Sequence, residues 1–193
     1  MMFIETCGYL RVTNFTLTHR LANREDFEAL RELMDVAIAE NQKAFLTPVQ
    51  IESSRTIMGL DTQLIEDGTY FIVEDQGKLV GCGGWSRRAT LYGGNQKPGR
   101  SADLLDPTKD AARVRAMYTY PGHTRKGIGT LILSLCEKAA SREGFRRVEL
   151  MATMSGELLY RARGYQPDEL VSDSRSGAAV PLLKMHKDLR PGA

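Results

Sequence analysis

The segment that most constrains the fold is a strand-like run, a glycine-containing loop and an apolar helical run, in succession over residues 114–144. Residues 114–119 are rich in β-forming side chains, and residues 120–127 form a short loop. Gly144 ends the helix predicted over residues 128–143. Apolar residues recur in that helix at the spacing of one buried face, which comprises Ile128, Leu131, Ile132, Leu135 and Ala139. This order predicts an α/β chain in which the helix packs against a sheet.

Two further helices are predicted before this segment. Asn23 and Asp26 cap a helix that reaches about Ala44. Its predicted buried residues are Phe27, Leu30, Met34, Ala37 and Ile38. Thr47 to Gln50 is a capping box with Pro48 at the first helical position. The helix that follows is predicted to present Val49, Ser53, Ile57 and Leu60 on one face.

The other predicted elements are mostly β-strands. Strand-like alternation occurs over residues 10–19, 147–153 and 180–187. Residues 69–86 are typical of a hairpin with its turn at Asp75-Gln76-Gly77-Lys78. A short helix over residues 155–163 ends at Gly164. Residues 87–112 are rich in glycine, proline and charge, and are predicted to be an insertion between strands.

The length of 193 residues is typical of a single domain, here residues 1–193. Residues 1–9 are predicted to be a flexible leader, and residues 188–193 a tail. The net charge is +2, but residues 1–85 carry 7 Lys and Arg against 13 Asp and Glu, whereas residues 86–193 carry 19 against 11. An anionic ligand is therefore expected in the second part. Nucleic-acid binding is not expected, because the basic residues are not interleaved with aromatic residues along a strand face.

The cysteines and the apolar segments predict a cytoplasmic location. Cys7, Cys82 and Cys136 are odd in number and lack the spacing of metal ligands, so neither a disulfide framework nor a metal site is expected. The longest uncharged apolar run, residues 128–136, is too short to span a bilayer. The start of the chain lacks the basic region and the cleavage site of a signal peptide. We expect no membrane partner.

The stretch PGHTRKGIGT, residues 121–130, has the features of a pyrophosphate site. Gly127 and Gly129 let a bound group approach the backbone closely. The first N–H groups of the helix lack intrahelical partners, and the helix dipole adds partial positive charge there. Arg125 and Lys126 add two full charges. An ordinary helix start with solvated basic residues would look the same, so both interpretations are open at this point.

Two common nucleotide-binding motifs do not fit this loop. A P-loop needs Lys directly after its second glycine, but Gly122 leads to Gly127 followed by Ile128. A dinucleotide-binding fingerprint needs a glycine where Ile132 stands. ATP hydrolysis and nicotinamide redox chemistry are therefore not expected.

The segment MYTYPGHTRKGIGT instead resembles the signature of the GNAT superfamily of acyl-CoA-dependent N-acetyltransferases. That signature is a strand and a proline-containing turn followed by [QR]-x-x-G-x-[GA] at a helix start. Pro121 stands at the turn, and Gly127 and Gly129 stand at the two small positions. Thr124 departs from the pattern, because the family usually has Gln or Arg there.

A second segment, LLYRARGY at residues 158–165, is similar to another GNAT signature. It places Tyr160 at the family's catalytic tyrosine and Tyr165 at the aromatic residue after the glycine. Thr153 stands where the family often has Asn. The resemblance covers roughly residues 70–187. It implies a three-layer α/β (α+β) fold, with a mixed, largely antiparallel twisted sheet of six or seven strands, splayed at the CoA site and flanked by about four helices.

The resemblance also implies acetyl-CoA as co-substrate, no metal, and particular site residues. Tyr160 would protonate the departing thiolate, although a tyrosine that merely packs its helix onto the sheet is the alternative. A main-chain N–H of residues 117–119 would bind the oxyanion. The predicted CoA-binding residues are Met117, Tyr118, Thr119, Thr124, Arg125, Lys126, Gly127, Ile128, Gly129, Thr130 and Thr153. The general base is left unassigned, since Glu149 and His123 are both weak candidates.

Four further sets of residues have two interpretations each. Trp85 either walls the acceptor pocket or packs in the core. Gly81, Gly83 and Gly84 indicate a bulge or a close backbone approach. The basic residues Arg87, Arg88, Lys97 and Arg100 either meet the 3′-phosphate of CoA or form a solvated face. Residues 23–60 carry seven acidic side chains against four basic ones, which favours a cationic acceptor if they face the site.

The function that follows is acetyl transfer from acetyl-CoA to a primary amine of a small molecule or peptide. The oligomeric state is left open, with a homodimer as one alternative because dimers are frequent in the resembled family. The alternative is a non-catalytic acyl-CoA sensor or interaction module on the same fold.

Overall fold

The computed structural model describes residues 17–95, 99–175 and 177–189. The strands are β1 (Leu17–Leu21), β2 (Tyr70–Asp75), β3 (Lys78–Ser86), β4 (Ala112–Thr119), β5 (Arg147–Thr153), β6 (Gln166–Asp173) and β7 (Val180–Asp188). The α-helices are α1 (Phe27–Asn41), α2 (Pro48–Ile57), α3 (Thr62–Glu66), α4 (Ile128–Arg142) and α5 (Glu157–Ala162).

All seven strands belong to one sheet, in the order β1-β2-β3-β4-β5-β7-β6. Neighbouring strands are antiparallel except for β4 and β5, which run parallel. These two strands pair only at their first residues, Ala112 with Val148 and Arg113 with Glu149. Beyond that point β4 and β5 separate. The predicted mixed, largely antiparallel sheet of this fold class is confirmed.

Helices cover both faces of the sheet because successive residues of a strand point to opposite sides. In β2, Ile72 belongs to a core cluster with α1 and α3, whereas its neighbour Val73 belongs to a cluster with α4. α4 packs on β2, β3 and β4 from one side, and α1 packs on β3 and β4 from the other. The start of α4 and the end of α1 therefore flank the C-terminal half of β4.

The glycines of β3 allow α4 to approach the sheet closely. A Cβ atom at Gly83 would lie 2.7 Å from Ile132 Cγ2 of α4 and 2.7 Å from Met117 Cγ of β4. The register between β3 and β4 shifts between Cys82 and Gly84. The sequence predicted a bulge or a close approach here, and the structure contains both.

Several predicted elements are present with shifted bounds. The hairpin turn is confirmed, with positive φ at Gln76 and Gly77. The Asn23–Asp26 capping box is present, but it opens a 3-10 turn, and α1 ends at Asn41 rather than near Ala44. Of the predicted strand over residues 10–19, only residues 17–19 are described, and β1 continues to Leu21. The predicted leader, residues 1–9, lies outside the described residues, as does most of the tail.

Two predicted helix faces are wrong in part. In α4 the buried residues are Ile128, Ile132, Leu133, Cys136 and Ala140, whereas Leu131, Leu135 and Ala139 are only half-buried. The face is rotated because the helix lies on the glycines of β3 along the Ile128–Ile132 line. In α2, Val49 is 66% exposed, because the buried side of this helix carries Ser53, Ser54 and Ile57.

Two elements were not predicted at all. α3 is a single short turn of helix, which is too brief to show a period. β6 has a polar sequence because it is the edge strand of the sheet and is mostly exposed. Its place in the sheet depends on pairing with β7.

Candidate active site

The separation of β4 from β5 opens a cleft of about 690 Å³. One wall is the C-terminal half of β4, and the other is the loop after β5 together with α5. The loop before α4 closes one end, and the last turn of α1 forms part of the rim. The lining residues include Asn41, Met117, Thr119, Gly129, Thr153 and Tyr160.

The free edge of β4 turns main-chain groups toward this cleft. The Tyr120 N–H donates to the Val80 carbonyl at 2.9 Å, so the amides that alternate with it point away from β3. Thr119 is one of these, and its carbonyl accepts a hydrogen bond from Asn41 Nδ2 at 2.8 Å. Met117 follows a bulge at Ala116, whose φ is +50°. An N–H at this edge suits an oxyanion.

The start of α4 forms the phosphate end of the cleft. Gly127 has φ of +85° and is the N-cap, but no side chain caps the helix there. The N–H groups of Ile128, Gly129 and Thr130 have no intrahelical partner, since the first helical bond is Leu131 N–H to the Gly127 carbonyl. At Gly129 a Cβ would lie 2.7 Å from Leu159 Cδ2 of α5. These donors, which have no intrahelical partner, fit a pyrophosphate.

Tyr160 lies at the base of the cleft and is 9% exposed. Its hydroxyl is 3.8 Å from Met117 Sδ, the one hydrogen-bond contact that the described residues offer it. Burial raises the pKa of Tyr160 well above its ordinary value, because the anion would lack solvation. The hydroxyl is therefore a proton donor near neutral pH. Thr153 Oγ1 lies nearby, 3.1 Å from Ser155 Oγ.

A second cavity, of about 80 Å³, adjoins the cleft. Five residues line both spaces: Met58, Met117, Tyr118, Thr153 and Tyr160. The far wall of the small cavity comes from residues 91–94, which belong to the predicted insertion. Arg115, two residues before Met117, also lines it. Met117 and Tyr160 thus stand at the junction of a large and a small space.

The structure brings together every predicted CoA-binding residue except Lys126 along the large cleft. Ile128 is buried in the core, so only its main chain can serve there. His123 also lines the cleft, with Nε2 3.3 Å from Asp75 Oδ2. Glu149 forms ion pairs with Arg113 and Lys184 and lines neither space.

Other candidate residues have structural contacts away from the cleft. Trp85 is 2% exposed and packs edge-on against Phe145, with ring centroids 6.0 Å apart, so the packing interpretation holds. The three described candidates for the 3′-phosphate are ion-paired, Arg87 with Glu143, Arg88 with Asp67 and Arg100 with Asp61. Lys97 lies outside the described residues.

The acidic residues of the first two helices do not wall the site. None of the carboxylates between residues 23 and 60 lines either space. Glu28, Asp35 and Glu40 instead form surface ion pairs with Arg31, Arg55 and Lys43. Asp35 also lines a third cavity, of about 250 Å³, which shares Met58 with both spaces, but Arg31 and Arg55 line that cavity too. The sequence argument for a cationic acceptor therefore gains no support from an excess of negative charge at the site.

Sequence reasoning missed Arg115 and Asp61, which form a buried ion pair beside the small cavity. The available signal was alternation in β4: Val114 points into the core with α4, so Arg115 must point to the other covered face. A charged side chain on such a face needs a partner or a function. The partner, Asp61, is 54 positions away in the sequence, and no local pattern indicates it.

No group of three or more potential metal ligands occurs among the described residues. The helices in the described ranges are also too short or too polar to cross a membrane.

Cys82 and Cys136 are free and buried. Burial raises the pKa of the Cys82 thiol to about 12, so it is unreactive near neutral pH.

The fold is that of an N-acetyltransferase. The chain is similar to a GCN5-related N-acetyltransferase from Rhodopseudomonas palustris, with 18% identity, a TM-score of 0.66, and 94% of this chain and 100% of that chain covered. It is also similar to yncA, a putative acetyltransferase from Salmonella typhimurium solved with acetyl-CoA, with 18% identity, a TM-score of 0.60, and coverage of 92% and 96%. The chain is similar as well to PaiA N-acetyltransferase from Thermoplasma acidophilum, solved with coenzyme A. The identity is 16% and the TM-score is 0.60, with 90% of this chain and 99% of that chain covered.

The chain belongs to the acetyltransferase (GNAT) family, whose sequence model matches residues 28–165. The resemblance seen in the two sequence signatures is thereby confirmed. Members of this family transfer acyl groups and use acetyl-CoA as the donor. No curated protein sequence matches the chain.

Proposed function

We propose that this protein transfers the acetyl group of acetyl-CoA to a primary amine of a small molecule or peptide, by direct attack of the amine on the thioester. One observation carries the proposal. Met117 and Tyr160 stand where a large cleft, which ends at the start of α4, joins a small second cavity. The two reactants can therefore enter from different sides and meet at these residues.

The donor side is assigned to the residues that line the large cleft, together with Lys126 in the loop before α4. The N–H groups of Ile128, Gly129 and Thr130 would bind the pyrophosphate, with Thr124, Arg125, Lys126 and Gly127 in the loop around it. The β4 edge would hold the pantetheine arm through main-chain groups of Met117 and Thr119, with Thr153 opposite. Tyr118 lies between them and lines the cleft, while its N–H faces β3. These roles account for each CoA-binding residue that the sequence predicted.

The reaction needs an oxyanion donor and an acid. The amine nitrogen bonds to the acetyl carbon, the carbon–sulfur bond breaks, the ammonium loses a proton, and the CoA thiolate gains one. The Met117 or Thr119 N–H would bind the oxyanion, and Tyr160 would supply the proton to sulfur. The raised pKa of Tyr160 keeps that proton in place until the thiolate forms.

The base is not a carboxylate of the described residues, because none lines either space. The amine then loses its proton either to solvent or to His123, which lines the cleft from the loop before α4. The same observation favours the alternative function, a non-catalytic acyl-CoA sensor, over a catalyst with a dedicated base.

The test is acetyl-CoA binding measured by calorimetry together with thiol release over amines, amino acids, aminoglycosides and peptides. We expect saturable binding, thiol release with at least one acceptor, and an acetylated product detected by mass spectrometry. Tight binding without release on any acceptor would support the sensor. Absence of acetyl-CoA binding would contradict both functions. Light scattering on the same sample tests the proposed homodimer.

A further inference from the structure

The small cavity contains a buried charge that the proposed reaction does not use. Arg115 is 5% exposed and lines the cavity. Its Nη1 lies 2.7 Å from Asp61 Oδ2, and its Nη2 donates to the Gly93 carbonyl at 2.6 Å. Arg100 Nη2 donates to the other oxygen of Asp61 at 2.6 Å. Two guanidinium groups thus share one carboxylate.

This cluster has an excess of one positive charge and a free donor. Asp61 is fully buried, and no carboxylate lines the cavity within the described ranges. The Nε of Arg115 is buried and has no hydrogen-bond partner among the described residues. Burial lowers the pKa of Arg115, which reflects the cost of holding the charge away from water. An arriving anion would offset that cost.

We propose that Arg115 binds the carboxylate of the acceptor, so that the acceptor is an amine with a carboxylate a few bonds away, as in a free amino acid. The inference rests on the proposed acetyl transfer and specifies its substrate class. Guanidinium is suited to this role, because its fork of N–H donors matches a carboxylate.

The position of Arg115 relative to the reaction centre supports this assignment. Arg115 precedes Met117 by two residues, with the bulge at Ala116 between them, so both residues line the same small cavity. Met117 and Tyr160 form the shared boundary with the CoA cleft. A carboxylate held at Arg115 therefore leaves room for only a short spacer before the amine reaches the thioester.

The size and the walls of the cavity narrow the acceptor further. A volume of about 80 Å³ holds about five water-sized groups, which is too little for a folded peptide segment. Part of the wall is apolar, because Ile57, Leu91, Met151 and Leu182 line the cavity. A polyamine would meet both the positive charge and these apolar walls. The structure fits a small amino acid with an apolar side chain.

The competing interpretation is that Arg115 only anchors the insertion through Gly93. A substrate series separates the two without any mutation. L-amino acids, their carboxamides and their decarboxylated amines are compared as acceptors, with kcat/KM expressed per neutral amine. We expect the free amino acid to exceed its carboxamide by at least tenfold, mainly through KM. A carboxamide with a kcat/KM equal to or higher than that of the free amino acid would overturn the proposal.

A direct measurement of acceptor binding distinguishes failure of this inference from failure of the proposed function. Calorimetric titration of the CoA-loaded protein with the same amino acids and carboxamides needs no turnover. Carboxylate-dependent binding without acetylation of any amine would refute the transferase and retain the acceptor site. Turnover of amines without carboxylate preference would retain the transferase and refute this inference.

Two variants test the residue itself. Arg115→Lys keeps the charge but removes the fork, and should raise KM for the amino acid at least tenfold with little change for the carboxamide. The matched control is Arg113→Lys on the same strand face, where the ion pair with Glu149 lines neither space. Equal losses for both acceptors in Arg115→Lys would show a structural role. Thermal unfolding of each variant verifies its fold.

Discussion

Replacement of Tyr160 by Phe tests the proposed proton donor most directly. The change removes one hydroxyl and keeps the ring that packs against Tyr165, at a centroid distance of 5.8 Å. The hydroxyl has only the thioether of Met117 as a partner among the described residues, at 3.8 Å. The structure therefore separates the effect on activity from the effect on stability.

The expected effects on stability and on activity differ in sign as well as in size. A buried hydroxyl with so weak a partner contributes little to folding, so the free energy of unfolding should change by less than about 1 kcal/mol, in favour of the variant. Loss of a general acid lowers kcat by roughly 10²-fold, which corresponds to about 2.7 kcal/mol of transition-state stabilisation. The dissociation constant of acetyl-CoA should change much less.

The assay is steady-state thiol release with the best acceptor, combined with calorimetric binding of acetyl-CoA and thermal unfolding. Tyr165→Phe is a matched control. Tyr165 is 2% exposed, its hydroxyl lacks a hydrogen-bond partner within the described chain, and it lines neither space. It should show a similar stability change and an unchanged kcat. A Tyr160→Phe enzyme with an unaltered kcat, or equal kcat losses in both variants, would refute the role of Tyr160.

Three further predictions follow from particular backbone and side-chain positions. Gly127→Asp places a negative charge in the phosphate loop and should weaken acetyl-CoA binding at least tenfold by calorimetry; Gly68→Asp, at a similar positive φ away from the cleft, should not. Gly83→Ala should lower the unfolding free energy by about 1–3 kcal/mol in denaturant titration, because the added Cβ meets Ile132 and Met117; a neutral result would contradict the close packing. Burial raises the pKa values of four tyrosines above the unfolded value of about 10, so their stabilising contribution is full below pH 10 and is lost as the pH rises through the folded values. These tyrosines are Tyr70, Tyr118, Tyr160 and Tyr165. Ultraviolet difference spectra in a pH titration should show that they ionise only as the chain unfolds, and ionisation before unfolding would contradict this prediction.

The sequence by itself determined the parts of the molecule that depend on near neighbours. The capping boxes at Asn23 and Thr47 and the hairpin turn at Gln76 and Gly77 are present as predicted. The loop with Gly127 leads into α4, and family membership confirms the signature that this loop carries. Such features can be predicted from sequence because a cap, a turn or a helical period is determined by residues within a few positions of one another.

Only the tertiary structure decided which surfaces enclose the two spaces. The edge strand β6 gains its conformation from pairing with β7, and the insertion becomes a wall of the small cavity because Gly93 accepts a hydrogen bond from Arg115. Asp61 meets Arg100 and Arg115 across 39 and 54 positions of the chain. The acidic residues of α1 and α2 suggested a cationic acceptor, yet the charge beside the small cavity is positive. Charge along a sequence does not show which side chains converge, because convergence depends on how the strands pair and separate.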